Sequence, residues 1–147
     1  MSLDEMYRDI VLEHSKQPRN YGKMDGADCH AEGYNPLCGD QIAVDLKLDS
    51  SRKKLQDVRF TGKGCSICMA SASMMTEEVH GVAIDQALKS IRDFRAVMQG
   101  TQDPAIFETD VSALSGVRNF PVRIKCAVLA WTTLKEAVEK CSTNSSI

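Results

Sequence analysis

Cys38 and Asp40 lie two residues apart in a turn-forming hexapeptide, residues 35–40, with the sequence NPLCGD. A thiol and a carboxylate at this spacing can reach one metal ion, and Gly39 between them can adopt the backbone angles that chelation requires. A turn with an incidental cysteine explains the hexapeptide equally well on its own. The metal interpretation therefore depends on further donors elsewhere in the chain.

Two more thiols stand where helices are predicted to begin. Cys65 follows the turn 62–64 (GKG), and Cys126 follows Pro121, a residue suited to the first turn of a helix. Unpaired backbone N–H groups and the helix dipole favour a thiolate at such positions, and the thiolate is the form that binds metals and attacks electrophiles. The turn is not a phosphate loop, because Gly64 follows the lysine where that motif needs serine or threonine.

Three thiolates and one carboxylate make a complete tetrahedral set of zinc ligands. The predicted metal ligands are Cys38, Asp40, Cys65 and Cys126. Four anionic groups around a doubly charged ion leave an excess of negative charge, which favours a nearby cation. Arg123 and Lys125 precede Cys126 and are candidates for balancing this charge or for contacting a partner.

The remaining cysteines and the histidines fit structural roles better. Cys68 forms a CxxC motif with Cys65, but the segment around it looks core-facing, which favours a small buried side chain over a dithiol or a metal knuckle. Cys29 and Cys141 lack ligand-like neighbours and are predicted to pack in the core. His30, the histidine nearest the site in sequence, is a minor candidate for contacting the metal. The other two histidines, on predicted helices, are expected to be structural: His14 and His80.

The composition excludes several classes of function. A formal charge of -2 and a pI near 5.9 provide no basic surface of the kind that nucleic acids require. No apolar run approaches the roughly 20 residues that span a bilayer, and the first residues lack the features of a signal peptide. We therefore expect a cytoplasmic protein with no membrane or nucleic-acid partner. Six cysteines in a reducing compartment more often indicate metal or redox chemistry than disulfides.

The apolar residues change along the chain from alternation to helical spacing. The helices predicted from this spacing cover residues 2–16, 71–80, 84–99 and 120–141. The strands predicted from alternation cover residues 31–34, 41–48 and 58–61. Strands followed by helices predict an α+β fold, in which about three antiparallel strands form a small sheet with helices packed on one face.

One domain is expected over residues 1–147, because this length suits one hydrophobic core and no hydrophilic block divides the chain. Residues 100–118 contain Pro104, Gly116 and several serines and threonines, which predicts a loop with a short helical turn. The chain shows no internal repeat and no low-complexity tract.

Three segments together resemble the iron–sulfur scaffold family that includes IscU and NifU. They are residues 35–40 (NPLCGD), 62–73 (GKGCSICMASAS) and 120–126 (FPVRIKC), and residues 14–20 resemble the N-terminal segment of that family. The resemblance covers nearly the whole chain. IscU carries a histidine immediately before its third cysteine, whereas this chain has Lys125 there. This departure and the insertion at 100–118 are similar to the SufU branch of the family.

The resemblance implies metal ligation by the same four residues and a small antiparallel sheet backed by helices. Members of the SufU branch bind zinc and accept sulfur from the cysteine desulfurase SufS. By resemblance, a desulfurase histidine takes over one zinc position, and the freed Cys38 attacks the persulfide of the enzyme and carries the sulfur to downstream SUF proteins. The chain would then be a sulfurtransferase-like accessory protein rather than a stand-alone enzyme.

Three other functions stay open at this stage. A scaffold that assembles a [2Fe–2S] cluster would use the same thiolates, although Lys125 is not a usual cluster ligand. A structural zinc module would act only through its surface. A dithiol oxidoreductase using Cys65 and Cys68 is the least favoured alternative, because the segment around Cys68 looks core-facing; it predicts that Cys68→Ser abolishes function while Cys38→Ser spares it.

Overall fold

The computed structural model describes residues 3–145, and describes the side chains of residues 5–141. Ser2, the first residue of the first predicted helix, lies outside the described residues. The elements in chain order are α1 (Leu3–Lys16), β1 (Cys29–Asn35), β2 (Asp40–Leu48), β3 (Leu55–Lys63), α2 (Ser66–Val79), α3 (Ile84–Gln99), two 3₁₀ helices (Pro104–Ile106 and Asp110–Asn119) and α4 (Pro121–Ser145).

The three strands form one antiparallel sheet in the order β1-β2-β3. Alternation determines which side of β2 is buried: Ile42, Val44 and Leu46 point into the core, whereas the residues between them are exposed or half-buried. Asn35 at the end of β1 pairs with Asp40 at the start of β2, so the connection between these strands is only residues 36–39. This architecture confirms the predicted α+β fold.

The helices cover the buried face of the sheet. The long helix α4 packs along β1 and β2, and α2 lies beside it against β3. Between these helices and α3, the Trp131 ring stacks on Phe94 at a centroid distance of 4.3 Å, and the Trp131 indole N–H donates to Ser71 Oγ at 3.0 Å. Within residues 3–145, no helix combines the length and the apolar character needed to cross a membrane.

The strands β1 and β3 and the helix α4 extend a few residues beyond their predicted bounds, and two other elements differ more. Helix α2 begins at Ser66, five residues before the predicted start at residue 71, because Cys65 caps it directly after β3. The predicted loop at 100–118 contains the 3₁₀ helix Asp110–Asn119, which buries Val111, Ala113, Leu114 and Val117 in the core. This segment is therefore packed rather than loop-like. Its apolar residues follow the three-residue spacing of a 3₁₀ helix, which differs from the α-helical spacing on which the helix predictions rest.

The packing role predicted for Cys29 and Cys141 needs a correction. Both side chains are buried, as expected, but the structure joins them by a disulfide with a Cα–Cα distance of 5.4 Å. The bond ties the first residue of β1 to the C-terminal part of α4, across 112 residues of sequence. The sequence could not indicate this contact, because it exists only once α4 lies along β1.

The disulfide predicts the thiol count of the purified protein. Denatured without reductant and with a chelator, the chain should present four reactive thiols, which are Cys38, Cys65, Cys68 and Cys126. Replacing Cys141 by serine should lower the free energy of unfolding by roughly 2–4 kcal/mol under oxidising conditions, because a cross-link over a long loop restricts the unfolded chain. Six reactive thiols, or an unchanged stability, would contradict the bond.

Candidate metal centre

Side chains from two distant chain segments converge at one end of the sheet. Cys38 lies in the β1–β2 loop, Asp40 begins β2, and Cys126 lies in the first turns of α4. The potential ligand atoms of these three residues all lie within 4.8 Å of one another, and the sulfur atoms of Cys38 and Cys126 are 3.2 Å apart. The structure thus brings together three of the four predicted ligands from positions up to 88 residues apart.

The tight connection between β1 and β2 places Cys38 at the site. Pairing of Asn35 with Asp40 closes the hairpin, and the loop of residues 36–39 turns through Gly39, whose φ of +70° is unfavourable for other residues. Cys38 is half-buried on this loop, whereas Asp40 has no exposed surface. The hairpin therefore holds a buried carboxylate next to a partly accessible thiol.

Cys65 joins the group as the residue that caps α2. Its backbone N–H donates to Asp40 Oδ1 at 2.9 Å, and its sulfur accepts from the backbone N–H of Cys68 at 3.4 Å. Cys65 also lies close enough to hydrogen-bond the Cys126 thiol. Cys65 thus stands at the junction of a strand and a helix, as the sequence predicted.

Gly64 allows the carboxylate to approach the backbone at this point. A Cβ atom built on Gly64 would lie 2.5 Å from Asp40 Oδ1 and 3.0 Å from its carboxyl carbon, which is too close for any side chain. The hydrogen bond from the next residue to Asp40 Oδ1 requires the same approach. The absence of a side chain at Gly64 therefore helps to position the Asp40 carboxylate.

Cys126 is completely buried, whereas the sequence placed it at the edge of the apolar stripe of the last helix. The stripe itself is confirmed, because Ala127, Ala130 and Leu134 are all fully buried. Burial is the main cause that raises the pKa of the Cys126 thiol, and its contact with the Cys38 thiol adds to this effect. Without a metal, Cys126 therefore keeps its proton at neutral pH, and a bound cation would have to displace that proton.

The two cations before Cys126 occupy different places. Arg123 lies beside the thiols of Cys65 and Cys126. Its guanidinium pKa is raised, mainly by electrostatic attraction to Cys65 and by a hydrogen bond to the same side chain. Lys125 points instead into a neighbouring groove between α3 and α4, whose lining also includes Asn35 and Arg95. Arg123 is therefore the better placed of the two to balance the charge, and the charge-balancing and partner-contact roles of both residues stay predictions.

The other chemically capable side chains lie outside the group. Cys68 is fully buried, and burial is the main cause that raises its thiol pKa, which suits the predicted structural role. His30 hydrogen-bonds to Asp45 on the open face of the sheet, so its minor candidacy for the metal is not supported. His14 is buried and bonds to Ser73 and Asp110, at 2.8 and 2.9 Å.

Asn35 belongs to the site, although the sequence analysis did not single it out. Its amide nitrogen donates to Asp40 Oδ2 at 3.3 Å and lies 3.8 Å from the sulfur of Cys126. Two signals could have identified it. Alternation along β1 places residue 35 on the same face as the buried residues 29 and 31, and a buried amide needs a polar partner.

The chemistry of the donor set fits a metal ion better than it fits an enzyme pocket. Two thiols and a buried carboxylate converge, Cys65 adjoins them, and the nearby cation, Arg123, lies on the exposed side. Thiolate-rich sets select zinc or iron–sulfur clusters, and a carboxylate completes a four-coordinate zinc site. The chain can therefore offer a tetrahedral site whose first donor, Cys38, is partly accessible.

Comparison with known proteins agrees with this fold. The chain belongs to the NifU-like N-terminal domain family, whose model matches residues 6–146. It is 44% identical over 140 residues to the zinc-dependent sulfurtransferase SufU of Bacillus subtilis, covering 95% of this chain and 93% of that protein. It is 41% identical over 139 residues to the iron–sulfur cluster assembly scaffold protein IscU of Streptococcus pyogenes, covering 94% and 86% of the two chains.

A solved structure gives the same picture. A protein of Fervidobacterium islandicum, described as an iron–sulfur cluster assembly scaffold for the SUF system, superposes with a TM-score of 0.83 at 30% identity and covers 93% of this chain and 99% of its own. The predicted resemblance to the IscU and NifU family is confirmed. The relatives include both a zinc-dependent sulfurtransferase and cluster scaffolds.

The close contact between Asp40 and the backbone of Gly64 predicts that Gly64→Ala changes the zinc affinity. The added methyl group should displace the carboxylate and weaken zinc binding by about 10- to 100-fold, the usual cost of disturbing the groups that orient a ligand. Competition with a coloured chelator measures this affinity. Gly116→Ala is the matched control, because a Cβ there meets nothing within 4 Å. Equal affinities for the two variants would show that Asp40 does not contribute to the site.

Proposed function

We propose that this protein binds one zinc ion through Cys38, Asp40, Cys65 and Cys126, and accepts sulfur on Cys38 from the persulfide of a SufS-type cysteine desulfurase. The observation that carries the proposal is that the ligand atoms of Cys38, Asp40 and Cys126 lie within 4.8 Å of one another, with Cys38 on an exposed loop. Cys65 adjoins this group through its backbone hydrogen bond to Asp40. The similarity to a zinc-dependent sulfurtransferase over 95% of the chain supports the same function.

The transfer step is an ordinary thiol–disulfide exchange. The Cys38 thiolate attacks the outer sulfur of the donor persulfide, a new sulfur–sulfur bond forms on Cys38, and the donor cysteine leaves as a thiolate. Electrons balance without an added oxidant or reductant. Cys38 suits the role because it is half-buried at the tip of residues 36–39, whereas Cys126 is buried within α4.

Zinc, when bound, would keep the thiolates deprotonated and would introduce no redox chemistry of its own. The side chains around it divide the remaining work. Asp40 and Cys126 are held in the interior, the backbone N–H of Cys68 in the first turn of α2 donates to the sulfur of Cys65, and Arg123 offsets the surplus negative charge from the exposed side.

An apolar rim around the site supports docking of a protein partner. Leu37, Phe120 and Val122 are 68%, 62% and 58% exposed; Leu37 precedes Cys38 in the loop, Phe120 immediately precedes α4, and Val122 lies in the first turn of α4. Exposed large apolar residues that cluster beside a reactive group are typical of interaction surfaces. A desulfurase that covers this rim would deliver its persulfide to Cys38, and downstream SUF proteins would receive the sulfur in turn. The proposal places this exchange in the cytoplasm, where free thiols stay reduced.

Assembly of a [2Fe–2S] cluster on the same residues is the second candidate. The 41% identity to an IscU scaffold favours it, because the relatives share one fold and the thiolates are normal cluster ligands. Lys125, in the position before Cys126, still argues for zinc. Iron and sulfide in protein purified without oxygen would favour the scaffold.

Loss of the Cys38 thiol tests the proposal directly. With a SufS-type desulfurase and cysteine, mass spectrometry should find one additional sulfur atom on Cys38 of the native protein. The Cys38→Ala variant should carry no added sulfur and should fail to accelerate the desulfurase, because the accepting thiolate is missing.

Cys68→Ala is the matched control for this experiment. It also removes one thiol near the site, but a thiol that is buried and has a raised pKa, so sulfur acceptance should persist. Sulfur acceptance that survives Cys38→Ala and disappears in Cys68→Ala would overturn the proposal in favour of a dithiol mechanism.

A further inference from the structure

We propose that Asn35 is a positioning residue of the metal site, whose side-chain amide fixes the orientation of Asp40 and Cys126 and so sets how tightly the metal is held. The inference rests on the proposed zinc site and assigns a role to a residue that offers the metal no ligand of its own. Asn35 is 6% exposed and ends β1, where it pairs with Asp40 across the hairpin.

The orientation of the amide follows from its neighbours. Its nitrogen lies 3.3 Å from Asp40 Oδ2 and 3.8 Å from Cys126 Sγ, so the two hydrogens of one NH₂ group can serve a carboxylate and a thiolate together. The reverse orientation would turn the amide oxygen towards both acceptors in a buried place, and the resulting repulsion excludes it. One side chain of β1 thereby links the ligand on β2 to the ligand on α4.

Asp40 is fixed from both sides by N–H donors. The backbone of Cys65 donates to Oδ1 at 2.9 Å and Asn35 donates to Oδ2, which leaves each oxygen a free lone pair for a metal. Donors of this kind orient a metal-binding carboxylate and are usually worth a factor of about 10–100 in affinity. They also stabilise negative charge on a group that has no contact with solvent.

Among the described side chains, Asn35 hydrogen-bonds to Asp40 and Cys126, and not to Cys38, the residue that is proposed to accept sulfur. In the described part of the chain, its amide makes hydrogen bonds with Asp40 and Cys126 but none with Cys38. Cys38 is instead half-buried on the loop, in contact with the Cys126 thiol. Asn35 therefore keeps two donors in place independently of Cys38, and its effect on metal affinity should not require the Cys38 thiol.

Two substitutions separate the donor role from mere filling of space. Asn35→Ala removes both hydrogen bonds and should weaken zinc binding by about 10- to 100-fold. Asn35→Asp keeps the size of the side chain but places another carboxylate against Asp40 and Cys126. The new carboxyl group can donate one hydrogen bond when it is protonated, so zinc affinity is compared at pH 8, where the group is expected to be ionised. At this pH Asn35→Asp should weaken zinc binding at least as much as Asn35→Ala does, because like charges at this distance repel.

Asn119→Asp is the matched control. It adds the same charge close in sequence to the start of α4, but on an exposed residue. Its zinc affinity, measured by competition with a coloured chelator, should stay within about twofold of the native protein, because solvent screens exposed charges. Circular dichroism and the thermal midpoint of each metal-free variant establish that the fold is retained.

Co²⁺ in place of zinc gives a readout that a purely structural role would not change. The native protein should show the absorption bands of tetrahedral, thiolate-bound cobalt. In folded Asn35→Ala these bands should shift or weaken, because Asp40 and Cys126 are no longer oriented. Native-like zinc affinity and cobalt bands in both folded Asn35 variants would overturn the inference. A native protein that binds neither metal would instead overturn the proposed zinc site itself.

The Cys38→Ser background tests whether the effect of Asn35 on metal affinity is independent of the Cys38 thiol. The loss of affinity caused by Asn35→Ala should be at least as large in Cys38→Ser as in the native protein. If the loss disappears there, Asn35 acts by shaping the loop that carries Cys38, and the assignment to Asp40 and Cys126 is wrong. None of these measurements involves sulfur transfer, so they remain informative whether or not the protein accepts sulfur.

Discussion

The rest of the site depends on one constraint, which is the burial of the Asp40 carboxylate. Asp40 has no exposed surface, yet it lies among three thiols that a metal would convert to thiolates. Such a group is stable only if hydrogen-bond donors and positive charge surround it. The N–H groups of Cys65 and Asn35 supply the first, and Arg123 beside the thiols supplies part of the second. A divalent cation at the centre would supply the remainder, so the folded chain is prepared for a metal.

The fold meets this requirement by joining three elements at one end of the sheet. A four-residue hairpin connection brings Cys38 close to Asp40, the start of α2 brings Cys65, and the buried face of α4 brings Cys126. Two of the three thiols are set by regular secondary structure, and one lies on a loop beside an exposed apolar rim. Under the proposed function, the buried donors would hold the metal and the half-buried Cys38 would react with the partner.

Local patterns predicted much of this arrangement. Alternation predicts β2, helical spacing predicts α4, and donor chemistry selects Cys38, Asp40, Cys65 and Cys126 from the sequence alone. What the sequence could not indicate depends on contacts between distant segments. The bond between the first residue of β1 and the end of α4, the burial of the 3₁₀ helix Asp110–Asn119, and the role of Asn35 all arise only when helices pack on the sheet. A residue without a titratable or nucleophilic group attracts no attention until its partners are in place.

The central claim is that four side chains of this chain hold one zinc ion, and X-ray absorption at the zinc edge tests it most directly. Protein purified without oxygen should contain one zinc per chain, surrounded by three sulfur atoms at about 2.3 Å and one oxygen at about 2.0 Å. A shell of four sulfur atoms would contradict the assignment of Asp40 and would bring Cys68 into the site. Iron with sulfide in place of zinc would contradict the sulfur-acceptor account as a whole.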